Sequence, residues 1–158
     1  MNPYAASLGD RDVLEVLATT PARIRALITA MGPSAETRRH APGKWNVGQV
    51  LVHLAQVELA FGLRARMALT VDDYVIQPFD QDRWMAVEPP VRSGTALAAY
   101  EALRTMNLEF FRNLTPEQRA TTMTHPERGR IDVWEIAASL AGHELHHLSQ
   151  IEEAARQR

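Results

Sequence analysis

The segment DVWEIAASLAGHELHHLSQI, Asp132 to Ile151, carries both the periodicity that predicts the fold and the residues that predict a site. Its apolar positions recur every three or four residues, which is typical of the buried face of a helix. His143 and His147 lie on this same face, one turn apart, whereas His146 lies about 100° away from it. We therefore expect a C-terminal helix with two histidines directed into the interior. The buried face comprises Ile136, Leu140, His143, His147, Ile151 and Ala154.

Three earlier segments show the same helical period. The first contains Pro21, which either kinks one helix or starts a new segment after Thr20. The second begins at Asn46, a favourable N-cap that has Gln49 as its capping-box partner. The expected helices run from about Asp10 to Met31, from Asn46 to Leu69, from Ser93 to Asn113, and from Asp132 to the C-terminus.

The segments between these helices are rich in residues that end helices. The connection Gly32–Lys44 contains glycine and proline, and the connection Thr70–Arg92 is long enough to suggest a functional loop. Thr115–Gln118 predicts a short extra helix, and His125–Arg130 predicts a turn. No segment shows a strand pattern above noise. The sequence therefore predicts an all-α four-helix bundle that forms a single domain over residues 1–158.

The composition narrows the class of protein. Of the 158 residues, 46% are hydrophobic and 23% are charged, which is typical of a globular domain. The net charge is -2 and Lys44 is the only lysine, so the basic patch of a nucleic-acid-binding protein is missing. We see no signal peptide and no apolar stretch long enough to cross a bilayer. We therefore expect a cytoplasmic protein that binds neither nucleic acid nor membrane.

The run HELHH, which begins at His143, also matches the H-E-x-x-H pattern of zinc peptidases. Such a peptidase needs a third ligand downstream, either a histidine six residues after the second one or an acid farther along. The position six residues after His147 is Glu153 rather than histidine, and the glycine expected between them is replaced by Gln150. Only eleven residues follow His147. Side chains on the same helix cannot turn back to the ion, so the peptidase interpretation fails.

A better third ligand lies upstream, because His53 falls on the inward face of the second helix. Together with His143 and His147 it predicts a three-histidine metal site with at least one open coordination position. Glu144 and Gln150 are candidates for outer partners of these ligands. The alternative is a set of core histidines satisfied by hydrogen bonds alone. Neutral imidazoles packed side by side in a core each need partners, which a metal ion provides.

Four motifs occur together in a fixed order, and this order resembles one known family. The motifs are KWNVGQVLVHLAQVE at 44–58, PFDQDRW at 78–84, HPERG at 125–129 and HELHHLSQI at 143–151. They resemble the DinB/YfiT-like superfamily over nearly the whole chain. The resemblance implies a four-helix bundle with up-down-down-up topology, often dimeric. It also implies a divalent metal site at His53, His143 and His147.

Characterised members of this superfamily include bacillithiol and mycothiol S-transferases and a mycothiol-dependent maleylpyruvate isomerase. The resemblance thus implies a metal-dependent transferase or isomerase that uses a small-molecule thiol and an electrophile. The chain has no cysteine, so the thiol must come from a cosubstrate. The alternative is a non-catalytic metal-binding protein of the stress response. Zinc or nickel is the favoured ion, and iron, manganese and cobalt also suit three imidazoles.

Two further expectations concern partners. Arg64, Arg66 and Arg83 are candidates to hold acidic groups of the cosubstrate, and the sequence does not choose among them. Apolar residues also flank the inward face of the second helix, which predicts a homodimer, although other parts of the bundle could cover them. These flanking residues are Leu51, Leu59, Leu63 and Leu69.

Overall fold

Four long helices dominate the computed structural model, which describes residues 2–157. Shorter helices and one hairpin occupy the connections between them. In chain order the elements are α1 (Ala5–Leu8), α2 (Val13–Met31), a 3-10 turn (Gly32–Glu36), α3 (Val47–Ala68), α4 (Gln81–Val87), α5 (Ser93–Arg112), α6 (Pro116–Arg119), β1 (Thr122–His125), β2 (Gly129–Asp132) and α7 (Val133–Arg156).

Three of the four long helices, α2, α3 and α7, start at side-chain caps close to the predicted positions. The Asn46 side chain accepts a hydrogen bond from the Gln49 amide, and the Gln49 side chain accepts one from the Asn46 amide. Asp132 likewise accepts from an amide in the first turn of α7. At the N-terminus the cap is Asp12, so α2 begins at Val13, three residues after the approximate start predicted at Asp10. Each cap satisfies amides that have no partner within the helix.

Pro21 lies inside α2, and the helix continues through it. Proline has no amide hydrogen, so the carbonyl oxygen of Leu17, four residues earlier, loses its helical partner. The guanidinium of Arg104 on α5 donates to that oxygen at 3.3 Å. Of the two interpretations of Pro21, one continuous helix is the correct one.

The prediction of no strands was wrong, because the region around the expected turn forms an antiparallel hairpin. β1 pairs with β2, and Met123 lies opposite Ile131. These two side chains are buried in the core, and Gly129 has a φ of 75° at the start of β2. Each strand has four residues and only one buried apolar side chain, which is too short for a period-two pattern.

Two short helices were also missed. α4 lies within the segment expected to be a loop and is capped by Asp80, whose side chain accepts from two amides. It has no buried residue, so it shows no apolar period. α1 consists of four residues and packs against α7. Helices this short are fixed by caps and tertiary contacts rather than by a repeating pattern.

α3 and α5 are parallel neighbours. Glu58 bonds to Arg104, and farther along both helices Gly62 lies against Asn107. A Cβ on Gly62 would lie 2.4 Å from the Asn107 side chain, so only glycine permits this close approach. Because both residue numbers rise together, the connection between α3 and α5 has to cross the whole length of the bundle. This requirement explains why the segment from residue 69 to residue 92 is so long.

α2 runs antiparallel to α5 and parallel to α7, which completes the predicted up-down-down-up order. In the contacts between α2 and α5, the residue numbers of α2 increase as those of α5 decrease. In the contacts between α2 and α7, the residue numbers of both helices increase together. Between α2 and α5, Leu17 bonds to Arg104 and Arg25 bonds to Glu101. Between α2 and α7, Leu17 and Glu144 both bond to Arg104, and farther along both helices Arg23 bonds to Glu152.

The interior contains two apolar clusters. One includes Phe111 and Leu140, and the other includes Tyr100 and Ile151. Between them along α5 and α7 lie buried polar side chains, which are described below. Among residues 2–157, no helix combines the length and the apolar character needed to cross a membrane.

Candidate metal centre

The structure brings together the three histidines that the sequence singled out. His53 Nε2 lies 2.9 Å from His143 Nε2, which lies 3.1 Å from His147 Nε2. A tetrahedral ion with bonds of about 2.0–2.1 Å would hold its nitrogen donors about 3.3 Å apart. Within residues 2–157, no fourth histidine or carboxylate joins this group. The arrangement therefore has the spacing of three ligands around one ion.

Packing between α3 and α7 removes all three rings from solvent. The side of α7 that carries His143 and His147 faces α3, and the exposed fractions are 0% for His53, 3% for His143 and 7% for His147. Burial lowers the pKa of His53 to about 4 and that of His147 to about 3. Burial, followed by repulsion from the other histidines, also lowers the pKa of His143 well below its usual value. All three rings are therefore neutral at neutral pH, as metal ligands must be.

Gln150 fixes the orientation and tautomer of His147. The side-chain nitrogen of Gln150 donates to His146 Nε2 at 3.2 Å. The side-chain oxygen of Gln150 lies 2.8 Å from His147 Nδ1 and accepts a hydrogen bond from it, so the proton of His147 is on Nδ1. The lone pair of His147 then lies on Nε2 and points at the other two rings. This is the role of an outer partner that holds a ligand in place. His146 itself is exposed, as the helical geometry predicts.

Hydrogen bonds alone do not satisfy the three rings. A neutral imidazole offers one N–H and one lone pair. His147 Nε2 presents a lone pair, so His143 Nε2 can donate fully to only one of its two neighbours. His53 Nδ1 is buried and has no hydrogen-bond partner, and an ion bound at Nε2 would leave this unchanged. A cation at the common point would accept a lone pair from every ring, so the donor set fits a divalent ion better than the alternative of satisfied core histidines.

Aromatic rings surround the triad. The ring centroid of Trp45 lies 5.0 Å from that of His53. The Phe79 ring is stacked on the His53 ring, with 6.2 Å between their centroids. Tyr4, from the N-cap of α1, meets His143 edge-on at 4.9 Å. Tyr4 comes this close because Gly142 has no side chain: a Cβ there would lie 2.5 Å from the Tyr4 carbonyl oxygen. Sequence reasoning missed Tyr4, and Gly142 next to His143 was the only signal for it.

A cavity of about 510 Å³ lies over the triad, and His53 and His143 form part of its lining. Phe61, Arg64 and His125 also line it. From the sequence, His125 was placed at the start of a predicted turn. It lies at the end of β1, where its Nδ1 accepts the Glu127 amide, so its Nε2 carries the proton when the ring is neutral. A groove of about 600 Å³ between α2 and α7 contains none of the three histidines and is not part of the site.

One wall of the cavity is built by the long connection after α3, which was expected to be a functional loop, and by β1, which was not predicted. The segment after α3 pairs with β1: Ile76 donates to the Thr124 carbonyl at 2.9 Å, and Thr124 donates to the Tyr74 carbonyl at 3.0 Å. Arg64 then fixes the next part of this segment by donating to the Gln77 carbonyl at 2.8 Å. The long connection therefore serves as a wall of the site.

The structure separates the three candidate arginines. Arg64 lines the cavity and is buried. Arg66 bonds to Asn107 and lies over the Phe110 ring, away from the cavity. Arg83 is exposed on the surface. Only Arg64 among them is placed to meet a ligand near the histidines.

A buried ionic cluster, which the sequence analysis did not anticipate, lies beside the triad. Arg104 forms ion pairs with Glu58 and Glu144, and its Nε lies 2.9 Å from Glu58. Asn107 donates to the other Glu58 oxygen at 2.8 Å. Burial, and then repulsion from Glu58, raises the pKa of Glu144 well above its usual value. Glu144 therefore binds Arg104 instead of orienting a histidine, which corrects its predicted role.

Relatives and one solved structure resemble the chain over most of its length. The structure of YfiT from Bacillus subtilis is 25% identical, has a TM-score of 0.83 and covers 92% of this chain and 85% of its own. It is described provisionally as a metal-dependent hydrolase with an unusual four-helix bundle topology. A protein of Halalkalibacterium halodurans is 27% identical over 89% of this chain and 83% of its own. A protein of Oceanobacillus iheyensis is 32% identical over 69% of this chain and 64% of its own. Both carry the provisional name of metal-dependent hydrolases.

The sequence profile of one superfamily matches residues 17–151. This range contains His53, His143 and His147, all four long helices in whole or in part, and the hairpin. The profile match and the similar fold of YfiT agree with the resemblance found in the sequence motifs. The chain belongs to the DinB superfamily.

Proposed function

We propose that the protein is a metal-dependent enzyme that activates a small-molecule thiol for transfer to an electrophile. The observation that carries this proposal is the position of the triad at the floor of a large cavity. His53 and His143 line a space of about 510 Å³, and no fourth protein ligand within residues 2–157 closes the site. A purely structural ion is usually enclosed by four protein ligands, whereas a catalytic one keeps an open position.

The proposed ligands are His53, His143 and His147, and the proposed ion is divalent. Zinc or nickel fits three imidazoles well, and iron, manganese and cobalt are compatible with the same donors. A divalent ion held there would supply the positive charge that lowers the pKa of a thiol at the open position. The three neutral rings leave that charge uncompensated, which favours an anionic nucleophile.

The residues of the chain define what the nucleophile has to be. With no cysteine in the sequence, the chain cannot supply the thiol. The apolar rings of Phe61 and Phe79 exclude water from part of the cavity, and Gln150 holds His147 in the ligating tautomer. His125 also lines the cavity, and its neutral ring has a hydrogen-bond donor at Nε2. These features suit a cosubstrate that enters with its sulfur directed at the triad.

Hydrolysis is a second candidate function, and the provisional names of the relatives favour it. The same open position could lower the pKa of water instead of a thiol. The two reactions differ in the nucleophile that is consumed, so one experiment separates them. A protein that binds the ion but consumes neither nucleophile would match the non-catalytic alternative.

We expect the metal-loaded protein to accelerate thiol loss in the presence of an electrophile such as a haloarene. A free thiol has a pKa of about 8.5, so full deprotonation at neutral pH would increase the reactive fraction by about 30-fold. The measurement is thiol titration over time with each metal, in parallel with hydrolysis of simple esters and amides. His147→Ala is the matched inactive control. Metal-dependent ester or amide hydrolysis without thiol loss would establish the second candidate instead.

We also propose that the protein forms a homodimer through an apolar surface on α3. Of the four flanking leucines, Leu51 is buried in the core. Leu69 is partly buried and packs against the apolar cluster that includes Phe111 and Leu140, so the bundle itself covers these two. Leu59 and Leu63 remain 53% and 56% exposed on one side of α3. Exposed apolar patches on long helices often mark contact surfaces.

Light scattering at micromolar concentration should therefore give a mass of twice the 17.7 kDa chain. The double variant Leu59→Glu/Leu63→Glu places two charges on the surface and should give the mass of one chain. Because both side chains are more than half exposed, the fold of the variant should be unchanged. A monomeric wild-type protein would reject the dimer.

A further inference from the structure

Arg64 is a buried cation without an acidic partner. Only 8% of the residue is exposed, and its described polar contact is one bond from its guanidinium to the Gln77 carbonyl. Its guanidinium also packs over the Phe61 ring at 5.1 Å. Among residues 2–157, no carboxylate lies within ion-pair distance of it. A buried charge normally has a partner, so this one has capacity for a ligand.

A second cation lies close to the first. Arg128, in the hairpin turn, has a buried Nη1 without a hydrogen-bond partner. Burial chiefly, and the charge of Arg128 in addition, lower the pKa of Arg64, and Tyr74 opposes them. Asp80 and Glu127 line the same cavity, but both are exposed, and Asp80 already caps α4. Arg128 is close to Arg64 but does not line the cavity, so Arg64 is the buried cation that a ligand in the cavity would meet.

Helix geometry places Arg64 at a fixed distance from the triad. His53, Val57, Phe61 and Arg64 lie along one side of α3 and all line the cavity. The step from His53 to Arg64 is eleven residues, about 16 Å along the helix axis at about 1.5 Å per residue. Side chains on a helix lean toward its N-terminus, so the guanidinium of Arg64 extends over Phe61 in the direction of His53. One elongated molecule could therefore contact both ends of the cavity.

We propose that Arg64 binds a carboxylate of the cosubstrate while the other end of the same molecule reaches the histidine triad. This inference rests on the proposed function for the identity of the far end as a thiol. A guanidinium presents paired N–H donors that match a carboxylate, which gives both attraction and orientation. The cavity then selects elongated, acidic thiols over short or uncharged ones.

The test compares glutathione with glutathione diethyl ester, which keeps the thiol and lacks both carboxylate charges. Binding to the metal-loaded protein is measured by calorimetry. Wild type should bind the acid about tenfold more tightly than the ester, because a hydrogen bond to a charged group contributes about that factor. Arg64→Gln should remove this preference, and Arg64→Lys should retain part of it. Arg83→Gln, at a side chain that is 88% exposed, should keep the wild-type ratio.

The ratio separates recognition from folding. If Arg64→Gln weakens acid and ester equally, Arg64 only holds the wall in place, and the proposal is wrong. Retention of the full preference in Arg64→Gln would also overturn it. Titration of the metal-free protein with succinate, with succinamide as the neutral control, tests the anion site without any thiol. Arg64-dependent succinate binding together with no thiol binding would support the anion site and reject the thiol chemistry.

Discussion

Replacing His147 with alanine is expected to reduce the metal content of the purified protein from about one ion per chain to a trace. Loss of an outer partner alone lowers metal affinity by about 10- to 100-fold, so loss of one of three ligands should exceed this. The helix should persist because alanine favours helices. His143→Ala and His53→Ala should behave in the same way. Metal analysis after equilibration with zinc or nickel gives the stoichiometry.

His146→Ala is the matched control on the same helix. His146 is exposed, and it bonds to Gln150 and lies edge-on to the His147 ring with 5.2 Å between centroids. It is not one of the three grouped ligands, so its loss should leave the stoichiometry nearly unchanged. If His146→Ala lost the ion as completely as His147→Ala, the assignment of ligands would be wrong. Full metal retention by His53→Ala would equally exclude a site shared between α3 and α7.

Replacing Arg104 with methionine should cause the largest loss of stability of any variant considered. The change leaves Glu58 and Glu144 buried next to each other without their shared cation. Breaking a buried ion pair in this way costs about 3–5 kcal/mol. For a chain of this size, that cost lowers Tm by on the order of 10 °C. Thermal and urea unfolding, followed by circular dichroism, measure both quantities.

The sign of the pH dependence provides a second check on Arg104→Met. Burial and repulsion already raise the pKa of Glu144 in the wild type, and removal of the cation should raise it further. A carboxyl whose pKa is higher in the folded state binds more protons there, so stability falls as pH rises above its unfolded pKa. The variant should therefore lose less stability at mildly acidic pH than at neutral pH.

The exposed pair of Arg112 and Glu109 is the reference, since Arg112→Met should cost less than about 1 kcal/mol at any pH. The triple variant Arg104→Met/Glu58→Gln/Glu144→Gln should recover much of the loss. If Arg104→Met were as stable as Arg112→Met, the cluster would not hold the three helices together as described.

The long helices could be predicted because each spans several turns, and α2, α3 and α7 also have a side-chain cap at the start. Asn46 with Gln49 predicted the start of α3 at the residue where the capping hydrogen bonds place it. The hairpin could not be predicted, because Met123 and Ile131 are single apolar residues whose burial depends on the rest of the core. Elements that depend on tertiary contacts leave no periodic signal in a single sequence.

The three histidines could be singled out because helix geometry converts spacing directly into direction. The same argument placed His146 outside the site. Helix geometry could not show that Arg64 rather than Arg66 lines the cavity. That choice depends on the position of the 70–80 segment, which bonds to β1. The pairing of Arg104 with Glu144 was also beyond reach, because it requires the relative rotation of α5 and α7.

The division between the floor of the cavity and its wall has an evolutionary consequence. The floor belongs to α3 and α7, whose packing supports the whole bundle, whereas much of the wall belongs to the crossing segment and the hairpin. Changes in length or sequence within those connections would alter which molecules fit and leave the ion-binding residues in place. Descendants of one ancestral bundle could thus acquire different substrates through loop variation alone, at little cost to folding.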